Sequence, residues 1–115
     1  MMLPLDYEDW YGNPNDRDGG ETPVIIAIDY DGTYTADVEL WDLFIRNARE
    51  NSHEVHLVTC RRDTVENREE VHVFGIPRHR HHFTGLAAKK WFMEQKGIKV
   101  DIWIDDDPDS ITKGM

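Results

Sequence analysis

The sequence predicts an α/β fold built on a parallel sheet, and its apolar segments support this prediction. Residues 24–28 read V-I-I-A-I, an apolar run without polar alternation that is typical of a central strand buried on both faces. Further strand-like segments follow at 54–59, 79–83 and 100–104, and helical patterns separate them. This alternation of strands and helices indicates parallel strands joined by right-handed crossovers.

Length and composition narrow the classes of protein to consider. The chain has 115 residues, which is enough for one domain with a single core. Its formal net charge of -10 argues against a protein that coats DNA or RNA. The single cysteine, Cys60, excludes an internal disulfide and fits a reducing cytoplasm. The sequence shows neither a secretion signal nor an apolar run of bilayer length, so we expect a cytoplasmic protein without a membrane partner.

The chain divides by composition into residues 1–22 and residues 23–115. The first segment is rich in Asp, Gly, Asn and Pro and has no periodicity, so it predicts an irregular N-terminal arm. Its large apolar side chains are able to anchor part of the arm on the domain. All predicted strands and helices fall in the second segment.

Three helices are predicted between the strands. A stripe of apolar residues from Val38 to Ala48 predicts the first helix, with an N-cap among residues 35–37 and an end near residues 50–52. A D-x-x-E capping box that begins at Asp63 predicts the second helix, which is expected to continue until Gly75 stops it. The third helix is predicted over residues 86–96, with Thr84 as its cap.

Polar residues follow the predicted strands, at the sheet edge where open α/β folds bind ligands. Asp29 and Asp31 come directly after the first strand, and a hard divalent cation would relieve the repulsion between two such carboxylates. Gly32 allows a sharp turn and the close approach of a ligand. The same edge should receive the remaining members of this group: Thr59, Lys89 or Lys90, and Asp105 with Asp106.

This arrangement resembles the haloacid dehalogenase (HAD) superfamily. The motifs that carry the resemblance are D-Y-D-G-T at 29–33, V-H-L-V-T ending at Thr59, a lysine near a helix start, and I-W-I-D-D-D at 102–107. The resemblance covers residues 24–109. It implies a three-layer Rossmann-like core whose parallel sheet has the strand order 4-1-2-3.

The resemblance also implies a role for each acid. Asp29 would be the nucleophile and would form an aspartyl-phosphate, while Asp31 would act as general acid and then as general base. Mg²⁺ would be the cofactor, bound by Asp29, by the main-chain carbonyl of Asp31 and by Asp106. Asp105 would orient these ligands, although the sequence leaves open which of Asp105 and Asp106 contacts the metal.

Two further side chains would contact the transferred phosphate. The resemblance implies that the Thr59 hydroxyl bonds a phosphoryl oxygen and that a lysine balances its charge. Adjacent helical residues point about 100° apart, so only one of Lys89 and Lys90 can face the site. We expect Lys89, because the lysine of this family commonly stands at the matching distance before the G-I stop.

The substrate-binding residues are expected beside these motifs. Gly32 and Thr33 complete the first motif, and Arg61 and Arg62 border the same edge, where they would bind phosphate. Residues 78–82 (R-H-R-H-H) form the one cationic segment of an acidic chain. They suggest a histidine metal site, a mixed strand-and-loop patch or a local anion contact, and we favour the last two interpretations over the metal site.

The spacing between strands and helices leaves no room for a cap domain, which implies an open site. The fifth strand usual in this family is not predicted, and we expect the resulting bare edge at the fourth strand to be covered by the N-terminal arm or by a second copy in a homodimer. The expected function is Mg²⁺-dependent hydrolysis of a phosphomonoester on a phosphorylated small molecule, a nucleotide or a nucleic-acid end. The alternative is a non-catalytic HAD-like phosphate-binding or regulatory module.

Overall fold

The computed structural model describes residues 23–114, so the predicted N-terminal arm lies outside the described residues. The strands are β1 (Ile25–Ile28), β2 (Glu54–Thr59), β3 (His81–Phe83) and β4 (Ile102–Ile104). The α-helices are α1 (Val38–Glu50), α2 (Val65–Glu70), α3 (Lys89–Gln95) and α4 (Asp109–Thr112). Short 3-10 turns at Tyr34–Ala36 and Arg78–Arg80 precede α1 and β3. The α/β class predicted from the sequence is therefore confirmed.

The four strands form one parallel sheet in the order β3-β2-β1-β4. Counted from the opposite edge this is 4-1-2-3, so the neighbours of each strand are those that the sequence predicts. The central strand β1 pairs along its whole length with β2 and along three residues with β4. All four strands therefore place their carboxyl ends at one edge of the sheet.

Side chains alternate between the two faces of the sheet, and helices cover both faces. Ile26 and Ile28 of β1 belong to the larger apolar cluster, which also contains Ile45 of α1. Ala27 points to the opposite face and packs in a smaller cluster with Met93 of α3. This arrangement gives three layers, with the sheet in the middle. None of the helices in residues 23–114 is long and apolar enough to cross a membrane.

The second helix is shorter than the sequence predicts. It ends at Glu70, and Val71 and Val73 continue in an irregular segment with both side chains fully buried. The prediction was wrong because burying two β-branched side chains at alternate positions in the core stabilises the protein more than extending an exposed helix through them. Gly75 therefore does not stop a helix. A Cβ atom at this position would lie 2.9 Å from Ile45 Cγ2, so the glycine allows close packing against α1.

The third helix also begins later than predicted, at Lys89 instead of residue 86. Thr84 does not cap it, because the Thr84 hydroxyl donates a hydrogen bond to the carbonyl of Thr59 at the end of β2. The predicted stop is present at Gly97, which has a φ of 77° and donates to the carbonyl of Glu94. The outcome is a short helix whose first residue lies at the carboxyl edge of the sheet.

Candidate functional site

The carboxyl edge of the sheet holds an open cavity of about 240 Å³. Residues from three strand ends and from the start of α3 line it. They include six of the residues that the sequence predicts for the site: Asp29, Asp31, Thr59, Lys89, Asp105 and Asp106. The structure thus brings the four sequence motifs to one place.

Asp29 occupies the centre of this edge because β1 is the central strand. Its backbone N–H donates to the carbonyl of Ile104 at 3.0 Å, so the β1–β4 pairing fixes its position. The residue is only 7% exposed. Burial raises the pKa of the Asp29 carboxyl from 3.8 to about 6, although contact with Lys89 opposes this shift. At neutral pH the carboxyl is therefore predominantly ionised, as a nucleophile requires.

Lys89 is a buried cation between two carboxylates. Its side chain is 1% exposed, and its Nζ atom lies 2.8 Å from Asp29 Oδ1 and 2.6 Å from Asp105 Oδ2. Burial acts to lower the pKa of Lys89, but the bonds to Asp105 and Asp29 outweigh it, and the pKa is raised above its ordinary value. The neighbouring Lys90 is exposed. The structure therefore places Lys89, rather than Lys90, at the candidate site.

Thr33 connects the end of β1 to the acidic loop after β4. Its hydroxyl oxygen lies 3.1 Å from Asp29 Oδ2 and 3.1 Å from Asp106 Oδ1, and it accepts the backbone N–H of Asp106. A hydroxyl has one proton, so Thr33 donates to only one of the two carboxylates at a time. This pairing leaves excess negative charge between Asp29 and Asp106.

Gly32 makes the approach of the acidic loop possible. Its φ of 84° is in the left-handed region, and a Cβ atom here would lie 2.5 Å from Asp106 Oδ2. The sequence suggested that this glycine admits a ligand. In the structure, the group that approaches it is the Asp106 carboxylate.

Three carboxylates are close enough to share a divalent cation. One oxygen atom from each of Asp29, Asp105 and Asp106 lies within 4.8 Å of the other two. Hard oxygen donors of this kind are the ligands that Mg²⁺ prefers. The donor set therefore fits Mg²⁺. It includes both Asp105 and Asp106, whereas the sequence left open which of the two contacts the metal. The side chain of Asp31 is outside this cluster.

Asp31 is held by Arg61 in a two-pronged ion pair. Arg61 Nε and Nη2 lie 2.9 Å from Asp31 Oδ2 and Oδ1, respectively. A further ion pair of 3.0 Å to Glu70 fixes the guanidinium, which also lies over the Tyr30 ring. Hydrogen bonding to Arg61 holds the pKa of Asp31 below its ordinary value. In this arrangement Asp31 is a carboxylate, which is suited to accept a proton rather than to donate one.

Thr59 is fully buried at the end of β2, and its Oγ1 atom accepts the backbone N–H of Arg61 at 3.2 Å. The hydroxyl still has its own proton to donate to an oxygen in the cavity. Arg62 differs from Arg61. Neither arginine is among the lining residues of the cavity, but Arg62 is also exposed, and its carbonyl accepts the side-chain N–H of Asn67 at 2.9 Å, near the start of α2.

Besides Asp107, which ends the I-W-I-D-D-D motif, two lining residues were not anticipated from the sequence. The Ser110 hydroxyl lies 3.2 Å from Asp105 Oδ2 and thus helps to hold that carboxylate. Cys60 lines the cavity directly after Thr59 and is exposed. Position relative to the motifs is the only sequence signal for either residue, because serine and cysteine are common at strand and helix ends.

The histidine metal site, the less favoured interpretation of residues 78–82, is not assembled in the described residues, where the only group with metal-ligand spacing is the acidic one. Instead, two histidines form a buried hydrogen-bonded chain. Lys96 Nζ lies 2.8 Å from His82 Nδ1, His82 Nε2 lies 2.9 Å from His56 Nδ1, and His56 Nε2 lies 2.9 Å from Glu54 Oε1. An ammonium only donates, so each neutral ring accepts at Nδ1 and donates at Nε2. The chain therefore links α3 to β3 and β2.

No protein-family model matches this chain, and neither a curated protein nor a solved structure matches it.

Proposed function

We propose that this chain is a capless, Mg²⁺-dependent phosphomonoester hydrolase of the HAD type that acts through an aspartyl-phosphate. The observation that supports it best is the setting of Asp29. This carboxyl is buried at the end of the central strand, contacts Lys89 at 2.8 Å, and shares a cluster of metal-ligand spacing with Asp105 and Asp106. Such a group is positioned to attack a phosphorus atom while nearby charges offset the negative charge of the phosphate.

The proposed reaction has two steps. In the first, an oxygen atom of Asp29 attacks the phosphorus, the bond to the leaving oxygen breaks, and Asp31 donates a proton to that oxygen. In the second, water attacks the same phosphorus, Asp31 takes its proton, and phosphate and free Asp29 are released. Thr59 and Lys89 would donate hydrogen bonds to the phosphoryl oxygens. When bound, Mg²⁺ would offset the repulsion between Asp29 and the phosphate.

The Arg61 contact places a condition on the first step. Asp31 cannot donate a proton while the guanidinium holds it as a carboxylate. The proposal therefore requires Arg61 to release Asp31 when a substrate phosphate arrives, and the phosphate offers the guanidinium an alternative bidentate partner.

The same contact favours the second candidate function, a HAD-like module that binds phosphate without turnover. If the ion pair between Arg61 and Asp31 persists with the ligand bound, the chain lacks a proton donor for the leaving oxygen. A single measurement, the release of product, distinguishes the two functions, because only the hydrolase releases product.

The test is Mg²⁺-dependent release of p-nitrophenol from p-nitrophenyl phosphate. We expect turnover with Mg²⁺, none with chelator, and a fall to below about 1% in Asp29→Asn, as is typical for loss of a nucleophile. The matched control is Asp109→Asn, an exposed acid outside the cavity lining, which should retain wild-type activity. Activity that survives in Asp29→Asn would refute the assignment of Asp29 as the nucleophile. If the wild-type protein hydrolyses none of the phosphomonoesters tested, the result would favour the non-catalytic module.

A further inference from the structure

A second polar cavity lies beside the edge strand β3, and the proposed reaction does not use it. Its volume is about 190 Å³. The lining combines three cationic side chains, two phenylalanine rings and one buried histidine, namely Arg68, Arg78, Lys96, Phe83, Phe92 and His81. We refer to it as the β3 cavity.

The β3 cavity is positively charged in a strongly acidic protein. One carboxylate, Asp63, also lines it and pairs with Arg68, so the three cations leave a net charge of +2. Arg78 donates from Nη1 to the carbonyl of Arg68, which leaves its Nε and Nη2 atoms free of hydrogen bonds to the described residues. Lys96 uses one of its three protons on His82. The remaining donors are suited to the oxygen atoms of a phosphate.

His81 supplies a buried acceptor in the same lining. Its Nε2 atom lies 3.0 Å from the carbonyl of Ile76, and because a carbonyl only accepts, Nε2 carries the proton. The Nδ1 atom is then an acceptor, and it is buried without a hydrogen-bond partner among residues 23–114. A buried polar atom of this kind is rare in proteins.

The aromatic rings complete the chemistry of the β3 cavity. Phe83 and Phe92 provide apolar surface, and Lys96 Nζ lies 4.9 Å from the centre of the Phe92 ring. Cations interleaved with aromatic rings are the surface that nucleotides bind, because bases stack on rings while phosphates contact the cations.

The β3 cavity is close to the candidate site. Phe83 in its lining is the register partner of Thr59, which lines the other cavity. Adjacent strands lie about 4.8 Å apart, so β3 is about 10 Å from β1 and Asp29. A single phosphate cannot occupy both cavities.

We propose that the β3 cavity binds a second, sugar-linked phosphate of the substrate while the terminal phosphate occupies the candidate site. This inference rests on the proposed function for the identity of the first site and deepens it by defining the substrate class. The second phosphate belongs either to a short nucleotide chain or to a bisphosphorylated sugar, which present the same chemistry.

Binding is measured by calorimetry with Mg²⁺ in the Asp29→Asn background, which lacks the proposed nucleophile, so that turnover does not interfere. The probes are a single-stranded trinucleotide with a terminal phosphate, a nucleoside bisphosphate and a nucleoside monophosphate. We expect one or both of the first two to bind at least tenfold more tightly than the monophosphate. For two phosphate contacts on a single strand, the logarithm of the trinucleotide affinity should fall with the logarithm of salt with a slope of about -1.4.

Charge-removing variants locate the contact. Arg78→Gln/Lys96→Gln should weaken trinucleotide binding roughly tenfold or more, the value of charge-assisted bonds at an exposed site, and should leave monophosphate binding unchanged. The matched control is Arg46→Gln/Lys99→Gln, which removes the same charge from exposed positions outside the β3 cavity. Arg78 and Lys96 also make structural bonds, so Arg68→Gln, whose side chain is 59% exposed, provides a second test that the fold tolerates.

The outcomes separate this inference from the proposed function. Equal losses of trinucleotide affinity in the β3-cavity variant and in its control would overturn the assignment of the β3 cavity as a phosphate site. Equal affinity for mono- and multiphosphorylated probes would overturn it as well. Turnover of p-nitrophenyl phosphate does not involve this cavity and tests the hydrolase independently. If the protein binds the trinucleotide through Arg68 or Arg78 but hydrolyses no phosphomonoester, the β3 cavity remains supported as a phosphate site and the proposed hydrolase is refuted.

Discussion

The buried lysine between two carboxylates gives the sharpest prediction for stability. In Lys89→Met the side chain keeps most of its volume, but Asp29 and Asp105 lose the cation that contacts them at 2.8 and 2.6 Å. Both carboxylate side chains are less than 10% exposed, so water cannot replace the ammonium. Removing one partner of a buried ion pair typically costs about 3–5 kcal/mol. We expect the free energy of unfolding at pH 7 without metal to fall by this amount.

The assay is urea denaturation with chelator, and the adjacent lysine provides the control. Lys90 is exposed, so Lys90→Met should change the free energy of unfolding by no more than about 0.5 kcal/mol. Adding Mg²⁺ should restore part of the loss in Lys89→Met, since a ligand that binds only the folded state stabilises it. Changing Asp105 to Asn in the same variant should also restore part of it, because one uncompensated charge disappears.

Two results would refute this reasoning. A loss below about 1 kcal/mol in Lys89→Met would mean that the lysine is not the buried counterion of the two acids. Equal losses in Lys89→Met and Lys90→Met would mean that the effect comes from α3 and not from the ion pairs.

The remaining predictions concern the acidic loop, the histidine chain and Gly32. Asp106→Ala should weaken Mg²⁺ binding with little loss of stability, because this residue is exposed. Asp105→Ala should mainly destabilise the fold. A metal titration and a thermal unfolding curve of each variant measure the two effects. Burial holds the pKa of His82 at about 3, below the ordinary 6.5, so the unfolded chain binds more protons between these values. The contribution of the neutral His82 to the free energy of unfolding, on the order of 5 kcal/mol, is complete above pH 6.5 and is lost as the pH falls towards 3. Urea denaturation at several pH values should show this loss. A His56→Leu/His82→Leu variant should flatten the dependence of the free energy of unfolding on pH. Gly32→Ala should lower Mg²⁺ affinity, measured by titration, because a Cβ atom would displace Asp106; unchanged affinity would contradict this role of the glycine.

The sequence was most informative where one physical rule determines position. The apolar run before Asp29 identifies a central strand, and the carboxyl ends of parallel strands necessarily meet at one edge. Asp29, Thr59 and Asp105 therefore line one cavity, as the sequence predicts. Helical geometry required Lys89 and Lys90 to diverge, but only packing identifies the buried one.

The sequence was least informative where tertiary contacts compete with a local pattern. Asp63 fits a capping box, yet Thr64 caps α2, accepting the N–H of Asn67, while Asp63 pairs with Arg68. The local pattern alone cannot rank two adjacent cap residues. Similarly, nothing in the order T-C-R-R distinguishes Arg61, which holds Asp31, from an exposed Arg62.

The charges of the candidate site indicate why the proposed reaction needs a metal. The five carboxylates of the site face two cations, Lys89 and Arg61, so the site retains a net charge of -3 when all seven groups are ionised; the acids are Asp29, Asp31, Asp105, Asp106 and Asp107. A phosphomonoester dianion entering this site meets like charge in a partly buried setting, where the repulsion is stronger than in water. One divalent cation would reduce this charge to -1, and the three carboxylates that already lie within 4.8 Å of one another would be its ligands. Metal binding should therefore precede substrate binding, and the positive β3 cavity would supply the attraction that the acidic protein otherwise lacks.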